Sequence, residues 1–128
     1  MRILLDTHTL LWALVEPNRL SQTASRAIKS DANNVCVSAA SAWEIATKVR
    51  IGKMAGAERI EKEFLELMER SGYALLSIHT NHALRAGRLA GDHRDPFDRM
   101  IAAQAIAEDI PVISKDSKLD IFGIHRIW

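Results

Sequence analysis

Two carboxylates stand three residues apart in the segment HRDPFDRMIAAQA, which runs from His93 to Ala105. Asp95 is placed to cap the start of a helix, with Pro96 at the first helical position, where its missing N–H costs nothing. Asp98 then falls in the first turn, close to the positive end of the helix dipole. These residue types fit a well-capped helix and also a cation site, and the segment alone leaves both interpretations open.

Three further acids occupy positions from which they could reach Asp98. Asp6 and Asp116 each come just after a predicted strand, and Glu44 lies two turns into the helix that follows another strand. Ligand sites in open α/β sheets lie beyond the carboxyl ends of the strands, where the topology reverses. The four acids can therefore converge at one edge of a predicted sheet.

Clustered carboxylates cannot all ionise at close range without a counter-charge, and a hard divalent cation supplies one. Such an ion can orient a water molecule for attack and stabilise charge on a phosphoryl oxygen. The five histidines share no ligand spacing and are interpreted as surface or hydrogen-bonded groups, although His8 is close enough to Asp6 to line a site. The donor types therefore favour Mg²⁺ or Mn²⁺ over zinc.

Each acid also has an ordinary structural interpretation. Asp6 could be a turn residue at the end of a strand, and Asp116 could cap the turn that follows it. Glu44 could pair with Lys48, four residues later, on a solvated helix face. Asp95 is the acid best explained by capping alone. Sequence spacing leaves these alternatives open.

Basic residues neighbour the acids in the sequence, and the weak candidates for RNA contact are Arg94, Arg99, Lys48 and Lys115. Positive groups beside a negative metal pocket suit a polyanion whose backbone crosses it. The alternative is ordinary solvated surface, because the whole chain has a net charge of only +1.

Size and composition indicate one globular domain spanning residues 1–128, with 48% hydrophobic and 26% charged residues. A single cysteine, Cys36, excludes an internal disulfide and is expected to be a buried thiol. No apolar span approaches membrane length and no clean signal-peptide cleavage site follows the N-terminus, so we expect a soluble cytoplasmic protein. Glycine-rich phosphate-binding motifs are absent from the sequence.

Apolar runs alternate with helical patterns, which predicts an α/β fold with a parallel sheet of four to five strands flanked by helices. Strands are predicted at residues 2–5, 35–37, 73–78, 111–114 and 124–128. Helices are predicted at residues 10–15, 21–30, 39–50 and 58–70, from a cap at Thr80 or Asn81, and from Asp95 to about residue 109. Residues 7–9 are expected to form a turn. Trp12 and Trp43 are expected in the core.

Four blocks give the sequence a resemblance to PIN-domain ribonucleases of the VapC toxin type. They are ILLDTHTLLWAL at 3–14, VSAASAWEIATKVRIGKM at 37–54, HRDPFDRMIAAQA at 93–105 and VISKD at 112–116. The resemblance implies that Asp6, Glu44, Asp98 and Asp116 bind divalent metal and cleave RNA. Asp95 belongs to the DPFDR variant of the third block and is an auxiliary candidate. Thr7 and Ser114 are further auxiliary candidates, and Ser114 keeps the hydroxyl of the threonine often found in the fourth block.

The resemblance also implies a PIN-like three-layer fold, a homodimer and a cognate antitoxin protein that covers the groove with a helix or extended tail. The helix predicted at 58–70 is a candidate wall of that groove. RNA would be cut by in-line attack of a metal-bound water, which leaves a 5′-phosphate and a 3′-hydroxyl. The substrate itself is not predicted, although the loops at residues 53–56 and 91–94 are candidates for selecting it.

Two alternatives from other classes remain open at this point. One is a non-catalytic RNA- or protein-binding module on the same fold, against which the full set of acids argues. The other is a phosphoacceptor receiver domain, in which Lys115 would follow a late strand. That domain needs an acceptor aspartate after a central strand, and residues 39–50 are predicted as a helix without one.

Overall fold

Five short parallel strands form a single sheet in a computed structural model that describes residues 1–128. The strands are β1 (Arg2–Leu5), β2 (Asn34–Ser38), β3 (Ala74–Leu76), β4 (Val112–Ile113) and β5 (Arg126–Ile127). Their order across the sheet is β3-β2-β1-β4-β5, with every neighbouring pair parallel. The topology reverses at β1, so the crevice beyond the ends of β1 and β4 is the expected place for a ligand site. The predicted α/β class and parallel sheet are confirmed.

Seven helices and two short 3-10 turns connect the strands. The helices are α1 (Thr7–Val15), α2 (Gln22–Lys29), α3 (Ala39–Arg50), α4 (Glu58–Lys62), α5 (Phe64–Ser71), α6 (Thr80–Arg88) and α7 (Pro96–Glu108). The 3-10 turns are Pro17–Arg19 and Ser117–Phe122. None of the helices has the length and apolar character needed to cross a bilayer.

Side chains of the central strand alternate between two cores, as the period of a strand requires. Ile3 and Leu5 pack in the core that includes α1, α2 and α5, whereas Leu4 packs in the core on the α7 side. In α7, Ala102 and Ala105 are buried against the sheet, and their small size lets the helix approach closely. The first turn of α7 is thereby fixed at the edge where β1 and β4 end.

Helix α1 begins three residues earlier than predicted. Residues 7–9 were expected to form a turn, but they are the first turn of the helix. The reason is Asp6, whose Oδ1 accepts a hydrogen bond from the backbone N–H of Thr9 at 2.9 Å. The carboxylate that ends β1 therefore also caps α1.

The predicted helix at 58–70 is two helices, α4 and α5, which meet at Glu63 (φ −104°, ψ 21°). Helix α6 is capped by His79 and not by Thr80 or Asn81, because Nδ1 of His82 accepts the N–H of His79 at 3.0 Å. Three strands were predicted at residues 73–78, 111–114 and 124–128. The observed strands β3, β4 and β5 are shorter, because the residues at the ends of each predicted range lie outside the strand.

The placement of Trp43 in the core was wrong, whereas Cys36 is buried as expected. Trp43 is 56% exposed and packs edge-on against Phe97, with ring centroids 4.8 Å apart. Trp12 is partly buried and lies against Trp128. The helical spacing of Trp43 did not reveal which face of α3 turns to solvent.

Candidate metal centre

A pocket of about 370 Å³ opens beyond the carboxyl ends of β1 and β4, and charged side chains form most of its lining. Its carboxylates are Asp6, Glu44, Asp95, Asp98 and Asp116. Its lysines are Lys48, Lys115 and Lys118. His8, His93 and Trp12 complete the lining. The fold thus brings together the four acids singled out in the sequence, which lie on four separate segments of the chain.

Asp6 connects the ends of the two central strands. It is buried, and its Oδ2 accepts a hydrogen bond from the hydroxyl of Ser114 at the end of β4. Thr9, whose N–H bonds to the other oxygen of Asp6, also donates its hydroxyl to the carbonyl of Ile113 at 3.0 Å. Each Asp6 oxygen therefore has a hydrogen-bond donor, and the carboxylate is held in one orientation.

The two hydroxyl candidates occupy different places. Ser114 is buried and lies between two acids, because its Oγ also accepts the backbone N–H of Asp116 at 3.0 Å. Thr7 instead pairs its hydroxyl with that of Ser41 at 3.0 Å, which ties α1 to α3, and it is not part of the pocket lining. Ser114 positions Asp6 and Asp116, whereas Thr7 joins α1, which Asp6 caps, to α3, which carries Glu44.

Asp116 begins the 3-10 turn Ser117–Phe122. Its Oδ1 accepts the backbone N–H of Lys118 at 3.0 Å, so the capping interpretation of Asp116 describes a real contact. The side chain still lines the pocket. Capping and pocket lining are therefore compatible for this residue.

Glu44 is buried, with only 3% of the residue exposed. Its Oε2 forms an ion pair with Lys48, the partner expected from the sequence, but the solvated helix face expected with that pair is absent. Its Oε1 is buried without any hydrogen-bond partner. A buried acceptor left unpaired costs about 1–3 kcal/mol, and more when the group is charged.

The ion pair also acts on Lys48. Burial alone would lower the pKa of Lys48, but the bond to Glu44 and the charges of Glu44, Asp95 and Asp98 outweigh burial and raise it. Lys48 therefore remains a cation beside the pocket.

The carboxylate of Asp98 has a raised pKa. Burial raises its pKa from 3.8 to about 6, and the negative charges of Asp95 and Glu44 act in the same direction. A hydrogen bond from His93, with Nε2 lying 2.8 Å from Oδ2, opposes this rise. Ionising Asp98 is therefore less favourable than ionising a free carboxyl group, and an additional positive charge would favour it.

Asp95 caps α7, as its sequence position predicts. Its Oδ1 accepts the backbone N–H groups of Phe97 at 2.9 Å and Asp98 at 3.3 Å. The start of the helix is thus fixed at the residue that carries the perturbed carboxylate. Asp95 also lines the pocket, where its charge contributes to the raised pKa of Asp98.

The basic candidates differ in what they contact. Lys48 and Lys115 line the pocket, as does Lys118, which was not predicted from the sequence. Arg94 is exposed and lies outside the lining. Arg99 instead donates hydrogen bonds to backbone carbonyls, those of Ala86 at 3.1 Å, His93 at 2.9 Å and Leu89. Its contacts hold the loop before α7 and give no support to a contact with RNA.

His93 is the pocket residue that sequence reasoning missed most clearly. A nitrogen of His93 and carboxylate oxygens of Asp98 and Asp116 all lie within 4.8 Å of one another. Sequence spacing did not reveal this group, because the partners of His93 lie on separate segments, in α7 and in the turn after β4. The position of His93 five residues before Asp98, just ahead of a capped helix start, was the available signal.

The donor set fits a divalent cation. Carboxylate oxygens dominate it, which suits Mg²⁺ or Mn²⁺. The unpaired Oε1 of Glu44 and the raised pKa of Asp98 are both features that a bound positive charge would relieve. Neither feature is expected of a surface that is only solvated.

The PIN-domain family model matches residues 3–124. The chain belongs to the PIN-domain family. Ribonuclease VapC22 of Mycobacterium tuberculosis is 31% identical to this PIN domain over 122 residues, which cover 91% of this chain and 88% of the relative. The resemblance recognised in the four sequence blocks is thereby confirmed, and the phosphoacceptor alternative is set aside.

Solved structures share the PIN fold at lower identity. VapBC-1 from nontypeable Haemophilus influenzae matches with a TM-score of 0.71 and 18% identity, over 98% of this chain and 96% of that chain. VapBC2 from Rickettsia felis, bound to a DNA fragment from its promoter, matches with a TM-score of 0.69 and 16% identity, over 98% and 97%. At these identities the likeness establishes the fold.

Proposed function

We propose that this PIN domain is a divalent-metal-dependent endoribonuclease and acts as the toxin of a toxin–antitoxin pair. The observation that carries the proposal is the unpaired, buried Oε1 of Glu44 at a pocket lined by four other carboxylates. The relative named ribonuclease VapC22 supports the reaction class. The domain is proposed to span residues 1–128.

Four acids are proposed to hold the metal: Asp6, Glu44, Asp98 and Asp116. Mg²⁺ or Mn²⁺ bound there would supply an activated water and stabilise negative charge on a phosphoryl oxygen. Ser114 would hold Asp6 and Asp116 in fixed relative positions through its two hydrogen bonds. Asp95 would fix the start of α7 and so the position of Asp98.

Lysines on the pocket rim are proposed to contact the RNA backbone. Lys48, Lys115 and Lys118 place positive charge beside the acids, where phosphates must approach. Such contacts position a polyanion without reading its sequence, and single-stranded or loop RNA is the expected target type. Arg94 remains a weaker candidate because it is exposed outside the lining.

A cognate antitoxin, a homodimeric toxin and action in the cytoplasm complete the proposal. Toxin–antitoxin complexes among the structures with the same fold support the protein partner. An apolar groove of about 260 Å³ between α1 and the α4–α5 pair is lined by Leu14, Val15, Ile60 and Leu67, among others. It includes the segment predicted from the sequence to form a wall of the antitoxin groove.

The test is cleavage of a labelled RNA mixture by the purified chain, in Mg²⁺ or Mn²⁺ and then with a chelator in excess. Cleavage is expected with metal and is expected to stop with chelator. Asp98→Asn keeps the size of the side chain and removes its charge, and we expect it to lower the cleavage rate by about 100-fold or more, beyond the 10–100-fold typical of residues that only support metal ligands.

Asp109→Asn is the matched control, because Asp109 ends the same helix α7, is exposed, and adopts a positive φ of 54° that asparagine tolerates well. It should cleave RNA as the wild type does. Equal cleavage by Asp98→Asn and wild type would refute the site assignment. Tight RNA binding without turnover under any divalent ion would favour the non-catalytic module.

A further inference from the structure

The loop before α7 is held against its surroundings on several sides. Gly91 has a φ of +115°, and a Cβ at this position would lie 2.9 Å from Cδ1 of Ile121, so only glycine fits there without strain. Arg99 holds the carbonyls of Leu89 and His93. The loop that carries His93 is therefore fixed to both α7 and the 3-10 turn Ser117–Phe122.

The imidazole of His93 is oriented by contacts with Phe122 and Asp98. Its ring lies against the ring of Phe122, with centroids 5.8 Å apart. Nε2 lies 2.8 Å from Oδ2 of Asp98, and the ring lines the pocket. His93 thus presents a nitrogen atom to the carboxylates, while Phe122 supports the ring.

We propose that His93 Nε2 is a further ligand of the metal, so that the site combines nitrogen and oxygen donors. This inference rests on the proposed function, since it concerns the same pocket. Two observations carry it: the convergence of His93, Asp98 and Asp116 within 4.8 Å, and the buried Oε1 of Glu44, which has no partner of its own.

The distances agree with coordination. Two neighbouring ligands of an octahedral ion with bonds of about 2.1 Å stand about 3.0 Å apart, and opposite ligands stand about 4.2 Å apart. The separation of 2.8 Å between His93 Nε2 and Asp98 Oδ2 is close to the first value. The donor atoms of His93, Asp98 and Asp116 lie within 4.8 Å of one another, which is compact enough for one ion. To share one ion, His93 must bind as the neutral ring with its proton on Nδ1, so that bonds from Nε2 and Asp98 to the metal replace the hydrogen bond between them.

A nitrogen ligand changes which metal the site prefers. Mg²⁺ is a hard ion that binds oxygen, whereas Mn²⁺, although it also suits carboxylates, is a transition-metal ion that accepts an imidazole nitrogen more readily than Mg²⁺ does. His93 should therefore add affinity for Mn²⁺ and little affinity for Mg²⁺. The His93→Ala variant should raise the dissociation constant for Mn²⁺ by about tenfold or more and that for Mg²⁺ by less than about threefold, as calorimetric titrations would show.

The direct test is electron spin-echo envelope modulation of Mn²⁺ bound to the full chain, which detects a directly bonded ¹⁴N nucleus. The wild type should show this coupling, and labelling its histidines with ¹⁵N should replace it by the ¹⁵N pattern. His93→Ala and His93→Gln should both lose the coupling. Circular dichroism establishes that each variant is folded, and the glutamine variant keeps a side chain in the space of the ring.

His8→Ala is the matched control, because His8 also lines the pocket but is outside the group of three convergent donors. It should keep the ¹⁴N coupling. Mn²⁺ that binds to the wild type without ¹⁴N coupling, or coupling that survives in His93→Ala, would overturn the role of His93 and leave the proposed nuclease intact. A wild type that binds neither Mn²⁺ nor Mg²⁺ would overturn the metal site and the proposed function together.

Discussion

The two sides of the pocket place the same chemical group in opposite environments. On the strand side, Asp6 has a hydrogen-bond donor for each oxygen, and Asp116 accepts a backbone N–H. On the helix side, Glu44 has one buried oxygen without a partner, and Asp98 has a pKa raised to about 6 by burial and neighbouring charges. The fold therefore compensates the strand-side carboxylates more fully than the helix-side ones, where Lys48 pairs with only one oxygen of Glu44 and His93 only partly offsets the burial of Asp98.

Acidic residues in this pocket therefore make two different contributions, one to the stability of the fold and one to the binding of a cation. The strand-side acids connect elements of the protein, so they stabilise the fold as well as the pocket. The helix-side acids carry an energetic cost in the metal-free protein, because Lys48 and His93 compensate them only in part. One oxygen of Glu44 stays unpaired, and the pKa of Asp98 stays raised. Their retention in the pocket is explained if a cation binds there. Substitutions on the two sides should therefore change stability in opposite directions.

The largest expected effect on stability comes from Asp6→Ala, on the strand side. The variant loses the cap of α1, which contributes about 1 kcal/mol. It also leaves the buried hydroxyl of Ser114 without its acceptor, at about 1–3 kcal/mol. We expect the free energy of unfolding, measured by urea titration of the metal-free protein, to fall by about 2–4 kcal/mol.

Asp92→Ala is the control for removing a carboxylate, because Asp92 is exposed in the loop before α7. Its unfolding free energy should match that of the wild type. If Asp6→Ala is as stable as Asp92→Ala, the strand-side carboxylate does not stabilise the fold, and the contrast between the two sides fails.

A smaller and opposite effect is expected from Asp98→Asn, on the helix side. Raising the pKa from 3.8 to about 6 corresponds to roughly 3 kcal/mol against the ionised form, and partial exposure of the side chain reduces this. Removing the charge should therefore stabilise the metal-free protein by about 1–2 kcal/mol at pH 7, measured by the same urea titration. Asp109→Asn should leave stability unchanged. A loss of stability in Asp98→Asn would contradict the assignment of Asp98 as a destabilising group.

The raised pKa of Asp98 also predicts how the stabilising effect of Asp98→Asn changes with pH. The folded-state pKa of Asp98, about 6, lies above its ordinary value of 3.8, so the folded protein binds more protons than the unfolded chain between these values. The stability of the wild type should fall relative to Asp98→Asn as the pH rises from about 4 to about 6, and the difference should stay constant above that range. A difference that is independent of pH would show that the charge is not its cause.

Much of the strand side could be predicted from the sequence. Asp6 and Asp116 follow short apolar runs directly, and the topology of parallel strands places the ends of β1 and β4 side by side. The capping contact of Asp95 was also predictable, because it depends on residues adjacent in the chain. Local spacing and one topological rule were sufficient for these residues.

The helix side depends on packing between distant segments, which spacing does not encode. Glu44 and Lys48 form the expected pair, but the burial of Glu44 arises from how α3 packs at the sheet edge. The place of His93 depends on a loop fixed by Arg99 and by the contact of Gly91 with Ile121. Arg99 was grouped with surface cations for the same reason, since its partners are backbone carbonyls that only the fold brings near.

We propose that the helix-side carboxylates destabilise the metal-free pocket and stabilise the metal-bound one. The most direct test is the unfolding free energy of wild type and Asp98→Asn at pH 7, measured with a chelator and then with Mg²⁺ or Mn²⁺ at about 100 times its dissociation constant. At that concentration, binding should stabilise the wild type by about 2.7 kcal/mol.

We predict a reversal of order, in which Asp98→Asn is the more stable protein with chelator and the wild type is the more stable one with metal. An order that is the same under both conditions would contradict the claim.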